Sequence, residues 1–123
     1  MNLDHFNLLI GDIDQLRDWR RSHPDVTFDC SKADLRNRTF DHRDFSDVDF
    51  SGAHFAGSNL HDVNFQRCNL DGADLSQTNL TKANFTGANL SNARFYEANL
   101  SDSKLLNVRF DGTDFSKATC ARA

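Results

Sequence analysis

Several residues able to do acid–base or metal chemistry recur at a spacing of twenty. Asp41 is followed by His61, His42 by Asp62, and one series runs Asp34, His54, Asp74, Arg94, Asp114. A carboxylate holding an imidazole is the pairing used by general bases, and the same two side-chain types ligate divalent metals. Either chemistry needs more than a pair. A base needs a nucleophile within reach, and a metal needs further ligands. The pattern supplies neither an adjacent nucleophile nor a third ligand, so we expect no enzyme activity, no metal and no cofactor. Cys30, Cys68 and Cys120 are too widely spaced for a metal site and read as reduced packing residues.

The elements that would position these residues come from a shorter period. From Phe28 to Cys120, nearly every residue whose number is a multiple of five is Leu or Phe, with Cys30 and Cys120 the exceptions. We call this residue the centre. Two positions earlier the side chain is usually small, as at Ala33, Ala53, Ala73 and Ala83, and the position between is usually Asp or Asn. Small residue and centre share a face, as alternating strand side chains do. Two outward residues then follow, which breaks the alternation and implies a corner every fifth residue. Gly52, Gly57, Gly72, Gly87 and Gly112 fall two residues after a centre, as do Asn37, Asn92 and Asn107. Gly and Asn tolerate positive φ, so the corner is expected to be a tight turn with a left-handed third residue. A helix is excluded, because a period of five drifts rapidly around 3.6 residues per turn.

Ala73-Asp74-Leu75, Ala88-Asn89-Leu90 and Ala98-Asn99-Leu100 carry a resemblance to the pentapeptide repeat family, whose signature is A-[D/N]-L-x-x. The resemblance covers about three-quarters of the chain. It implies an all-β solenoid, a right-handed quadrilateral β-helix of four to five coils with twenty residues each. The His/Asp pairs then become neighbours on successive coils, where opposite charges stabilise stacked strands modestly. The column Asn59, Asn79, Asn99 becomes an Asn ladder.

Residues 1–27 differ in kind and are expected to form an N-terminal α-helical cap. Residues 28–120 form the repeat array, and 121–123 a C-terminal tail. Leu9, Ile13 and Leu16 follow helical spacing, with Phe6, Ile10 and Trp19 near the same face. Asp12 with Gln15 reads as a capping box, Arg17, Arg20 and Arg21 suit a helix C-terminus, and His23-Pro24 ends it. The main helix is expected over 13–22, with Ile13 and Leu16 packed on the first coil near Leu35, Phe40 and Phe45. Whether 3–10 is helical stays open, because Gly11 interrupts the pattern. Arg38 and Arg43 occupy the small inward phase of the first coil, where an unpaired guanidinium is not tolerable. They are expected to rise to the rim and meet acids of the cap such as Asp14 or Asp18, unless the strand rotates locally.

The 123 residues carry a formal charge of −4, which gives no basic footprint for nucleic acid. No apolar stretch is long enough to span a membrane, and the first residues lack a signal-peptide pattern. A bacterial, cytoplasmic protein is expected. The function expected is non-enzymatic presentation of a rigid surface to an unknown protein partner. The alternative implied by the quinolone-resistance relatives is a DNA mimic that binds a type II topoisomerase such as DNA gyrase. Asp49, Asp71 and Asp111, facing Arg109 alone, form the best candidate anionic strip for either reading. At the other end of the rod, Leu105, Leu106, Phe110 and Phe115 are expected to leave core and backbone uncovered. A C-terminal end-to-end homodimer would cover them, as would a monomer whose tail folds over the end.

Overall fold

A computed structural model describes residues 1–123. Two short helices precede the repeats: α1, Leu3–Ile10, and α2, Ile13–Ser22. From Asp29 to Thr119 the chain winds with parallel pairing between residues twenty apart: Asp29 with Asp49, Asp34 with His54, Thr39 with Asn59, Asp44 with Asn64, and onward to Asn99 with Thr119. Each coil therefore contributes four bridge residues and four corners. The sides are shorter than the expected strands, since a single bridge residue stands between consecutive turns.

Coils are tied by two hydrogen bonds at each side and a third at each corner, where the left-handed residue donates to a carbonyl nineteen residues on, as from Gly72 to Ser91 at 2.9 Å. The N–H of a centre donates to a carbonyl nineteen residues on, as from Phe85 to Lys104 at 2.8 Å. The N–H of a bridge residue donates to a carbonyl twenty-one residues back, as from Asn84 to Val63 at 3.0 Å. At the corners, the N–H of a small residue donates to the preceding centre, as from Ala73 to Leu70 at 3.0 Å.

Every corner is left-handed at its third residue. Gly and Asn hold some of these positions, but Lys32, Asp47, Arg67, Gln77 and Glu97 adopt φ between 57° and 62° as well. An isolated L-residue pays roughly 1–2 kcal/mol there. Coil stacking imposes the conformation regardless of residue type. At Gly57 a Cβ would meet the Asn37 side-chain amide of the coil before it, which would have to turn away.

The position before each centre does more than face outward. All thirteen Asp and Asn residues at bridge positions accept the backbone N–H two residues on. Examples are Asp44 from Ser46 at 3.0 Å, Asn64 from Gln66 at 2.9 Å and Asn84 from Thr86 at 3.0 Å. The short Asx side chain thus closes the corner that follows it. Thr39, His54, Arg94, Lys104, Arg109 and Thr119 make no such bond and leave their turns without this support.

Centres from Cys30 to Leu100 are buried in one continuous core. Phe65 and Phe85 stack with ring centroids 5.2 Å apart and planes 3° from parallel, as a twenty-residue coil demands. Most inward polar residues bond to backbone: the Ser58 hydroxyl donates to Leu35 O at 2.7 Å and the Cys68 thiol to Phe45 O at 2.9 Å, while the buried Ser103 hydroxyl has no partner. The centres of the last coil are less buried than those before them. Leu105 and Phe115 are half-buried, Phe110 is 45% exposed, and Cys120 is exposed. Residues 121–123 do not fold over this end. Ala121 O accepts the Asp102 N–H at 2.9 Å, and Arg122 keeps the left-handed corner, so these residues continue the coil.

The N-terminal helices close the first coil. Asn2 caps α1, and Asp12 caps α2 by accepting the N–H groups of Asp14 and Gln15; the reciprocal contact of a capping box, from the Gln15 side chain, does not form. His5, Leu9 and Leu16 are the buried contacts. Ile13, expected to pack on the coil, is 48% exposed instead. Leu16 points inward and Ile13 lies at the edge. Arg43 meets carbonyls rather than acids, donating to Leu9 O at 3.2 Å and Gly11 O at 2.9 Å, where α1 leaves acceptors unpaired. Arg38 lies over the Phe6 ring, 5.8 Å from its centre. The rim therefore holds its two guanidiniums with helix-end carbonyls and an aromatic face.

Candidate functional site

The His/Asp pairs are only partly assembled. His42 Nδ1 lies 2.8 Å from Asp62 Oδ2, and its Nε2 is 3.7 Å from Asp41. His61 turns to Thr81, Nδ1 to Oγ1 at 2.6 Å, instead of to Asp41. His54 has its bridge partners Asp34 and Asp74 above and below but no side-chain hydrogen bond. No group of three His, Cys, Asp or Glu side chains is arranged to hold a metal ion. These residues belong to charge ladders that lock coil to coil. On one corner the column reads His42, Asp62, Lys82, Asp102, Arg122, with contacts at its two ends: His42 to Asp62, and Arg122 to Asp102 at 2.6 Å. On another, Arg67 grips Asp47 through two bonds of 2.8 and 3.0 Å.

The three acids of the anionic strip do not act as one. Asp49 is half-buried and accepts the Ser51 N–H at 2.9 Å, so it serves its own corner. Asp71 is exposed and accepts the Asn92 amide at 3.0 Å. Asp111 is exposed on the same corner column, two coils away, with Ser91 between them. Arg109 forms no ion pair with any of them.

A concavity lies where α2, the segment 23–28 and the first-coil corners around 42–47 meet. It has a volume of about 620 Å³. Leu16 and Phe28 form its buried floor, and Trp19 stands in its wall. Trp19 packs edge-on against His5 and Phe28, and His23 stacks on it at 4.1 Å. Arg20 fastens the helix across the groove by donating to the carbonyls of Asp44, at 3.1 Å, and Ser46. Reading the sequence did not single out this groove. The amphipathic pattern marks Trp19 and Ile13 as apolar-face residues without saying that a gap remains beside them.

No helix is long and apolar enough to cross a membrane. The pentapeptide repeats family model matches residues 29–67, 58–95 and 93–123, in eight copies. Among solved structures, the chain is similar to the pentapeptide repeat protein Rfr23 of the cyanobacterium Cyanothece 51142. The identity is 29% and the TM-score 0.73, over 76% of this chain and 64% of that one. The chain thus spans somewhat less than two-thirds of that protein's length. A pentapeptide repeat protein of the Arabidopsis thaliana thylakoid lumen gives 26% identity and a TM-score of 0.41, over 68% of this chain and 66% of that one. The plasmid-mediated fluoroquinolone resistance protein QnrB1 gives 24% and 0.40, over 75% and 59%. A search of curated proteins finds no match.

Proposed function

Because this chain belongs to the pentapeptide repeat family, we propose that it is a non-enzymatic scaffold that presents rigid outer faces to a protein partner. Pentapeptide repeat proteins are right-handed quadrilateral β-helices. The twenty-residue bridge register and the likeness to Rfr23 support the same handedness and four-sided section here.

One observation carries the reading: the interior is filled. Phe and Leu centres stack without interruption from the first coil through Leu100, so recognition has to happen on the outside. Capture of partners from a lysate of the native host by the immobilised chain tests it. A stoichiometric partner is expected, and its absence across growth conditions would count against a scaffold.

A DNA mimic needs a continuous anionic surface. Asp49 is committed to its corner, and residues 80–123 carry six cations against four acids. On this reading gyrase supercoiling is unaffected by the protein; potent inhibition or protection would favour the mimic.

We also propose that the exposed apolar residues of the last coil, Leu106 at 68% and Phe110 at 45% with half-buried Leu105 and Phe115, are covered by a second copy in a two-fold end-to-end dimer. Sedimentation at micromolar concentration should show a dimer that Phe115→Asp dissociates. A monomer throughout that range would exclude it.

A further inference from the structure

We propose that the groove beside α2 is the site at which this scaffold takes its partner, and that the partner segment presents an aliphatic or aromatic side chain next to a carboxylate. The proposal rests on the scaffold reading and adds the place and the chemistry.

The apolar part of the argument is that two aliphatic side chains are exposed where the fold does not require it. Ile13 and Val26 are each 48% exposed and stand in the walls of the same groove. With Trp19 they line a space of about 620 Å³, within the range that holds a few side chains of a bound ligand. Single exposed aliphatics mean little. Two of them beside a partly exposed tryptophan, over a buried floor of Leu16 and Phe28, form a patch that water covers poorly.

The polar part is a charge account of the walls. Asp14 is paired with Arg17 at 3.1 Å, and Asp47 with Arg67 at 2.8 Å. Asp44 accepts from Ser46 and from the Asn64 amide, at 3.0 and 3.2 Å. Arg20 is occupied by two carbonyls, and His42 by Asp62. Arg21 remains, at the C-terminal end of α2, with no hydrogen bond or ion pair. The wall carries three Arg and three Asp; each acid has an internal partner, Asp44 through neutral donors only, whereas the Arg21 guanidinium has none. A guanidinium beside an aromatic and aliphatic surface suits a carboxylate flanked by an apolar side chain.

The test uses the full chain and a phage-displayed library of random twelve-residue peptides, with selected peptides resynthesised and titrated by the fluorescence of Trp19, the sole tryptophan. Enriched peptides should pair an Asp or Glu with aliphatic or aromatic residues and should change Trp19 emission. Arg21→Glu and Val26→Asp, both at exposed positions, should each weaken them about tenfold or more, with unchanged melting. Replacing the peptide acid by its amide should weaken binding to the parent chain and matter less to Arg21→Glu. Peptides that bind with Trp19 silent and with affinity indifferent to both substitutions would place recognition on another face; the scaffold reading would survive and the groove would not. Failure to enrich any peptide would overturn the groove. Self-association abolished by Val26→Asp would assign it to a second copy and overturn the proposal.

Discussion

His5 Nδ1 accepts the backbone N–H of Asp29 at 2.8 Å, joining α1 to the first residue of the first bridge. The ring is buried, stacked on Phe28 at 4.4 Å and met edge-on by Trp19 at 5.1 Å. A neutral imidazole with its proton on Nε2 fits this bond.

Removing that acceptor should loosen the cap. His5→Phe keeps the stacking but leaves the Asp29 N–H unpaired, a cost of about 1–3 kcal/mol. The cap should then open earlier in urea, read by Trp19 emission, while the repeat coils follow their original transition in far-UV circular dichroism. Coincident, unshifted transitions would show that this hydrogen bond does not hold the cap.

Asx corners should be separable from side-chain polarity. Asn79→Ala removes the acceptor for the Thr81 N–H, now bonded at 3.1 Å, and should cost about 0.5–1.5 kcal/mol in chemical denaturation. Asn79→Asp supplies an equivalent oxygen and should restore most of it. Equal losses in both variants would place the cost elsewhere.

Core truncation should be expensive in the middle of the rod. Leu80 is fully buried, and Leu80→Ala should lose about 2–5 kcal/mol from lost burial and the cavity left behind. The same change at Leu105, half-buried in the last coil, should cost clearly less in the same denaturation experiment.

Thiol reactivity should sort the cysteines. Burial pushes Cys30 and Cys68 up to about 12, while Cys120 is exposed. The thiolate is the reactive form. The native protein should therefore react with a thiol reagent rapidly at Cys120 and at all three cysteines only when unfolded. Fast native labelling at Cys68, followed by mass spectrometry, would contradict the closed core.

Acid should weaken the ladders with a defined sign. A hydrogen bond from Arg36 holds Asp34 at about 2, and bonds from Arg67 and Arg122 hold Asp47 and Asp102 below the ordinary carboxylate value. A carboxyl held low in the folded state contributes stability above its unfolded value, near 4, and loses it as pH falls through the folded one. Stability should decline from about pH 4 downward. These pairs are solvent-exposed, so the contribution is modest and about 1 M salt should flatten it. Asp47→Asn should remove part of the slope.

The sequence by itself determined the core, the coil and the presence of a cap. A large apolar residue at every fifth position marks the core and the corners; the twenty-residue coil is what the resemblance to the pentapeptide repeat family implies, and the Phe65–Phe85 stack is what that coil requires. The Asp12 cap and the stop at His23-Pro24 place α2, because helix ends are written in local chemistry. Tertiary structure decided what local pattern does not encode. Lys32 and Glu97 turn left-handed against their own preference because hydrogen bonds to the next coil fix the corner. Ile13 and Leu16 share a helical stripe, yet only Leu16 is buried; the angle at which α2 meets the rim separates them, and that angle depends on Arg20 and Arg43 reaching carbonyls far along the chain. The groove exists for the same reason. It is the space left between a helix and a corner distant in sequence, whose fit no periodicity describes.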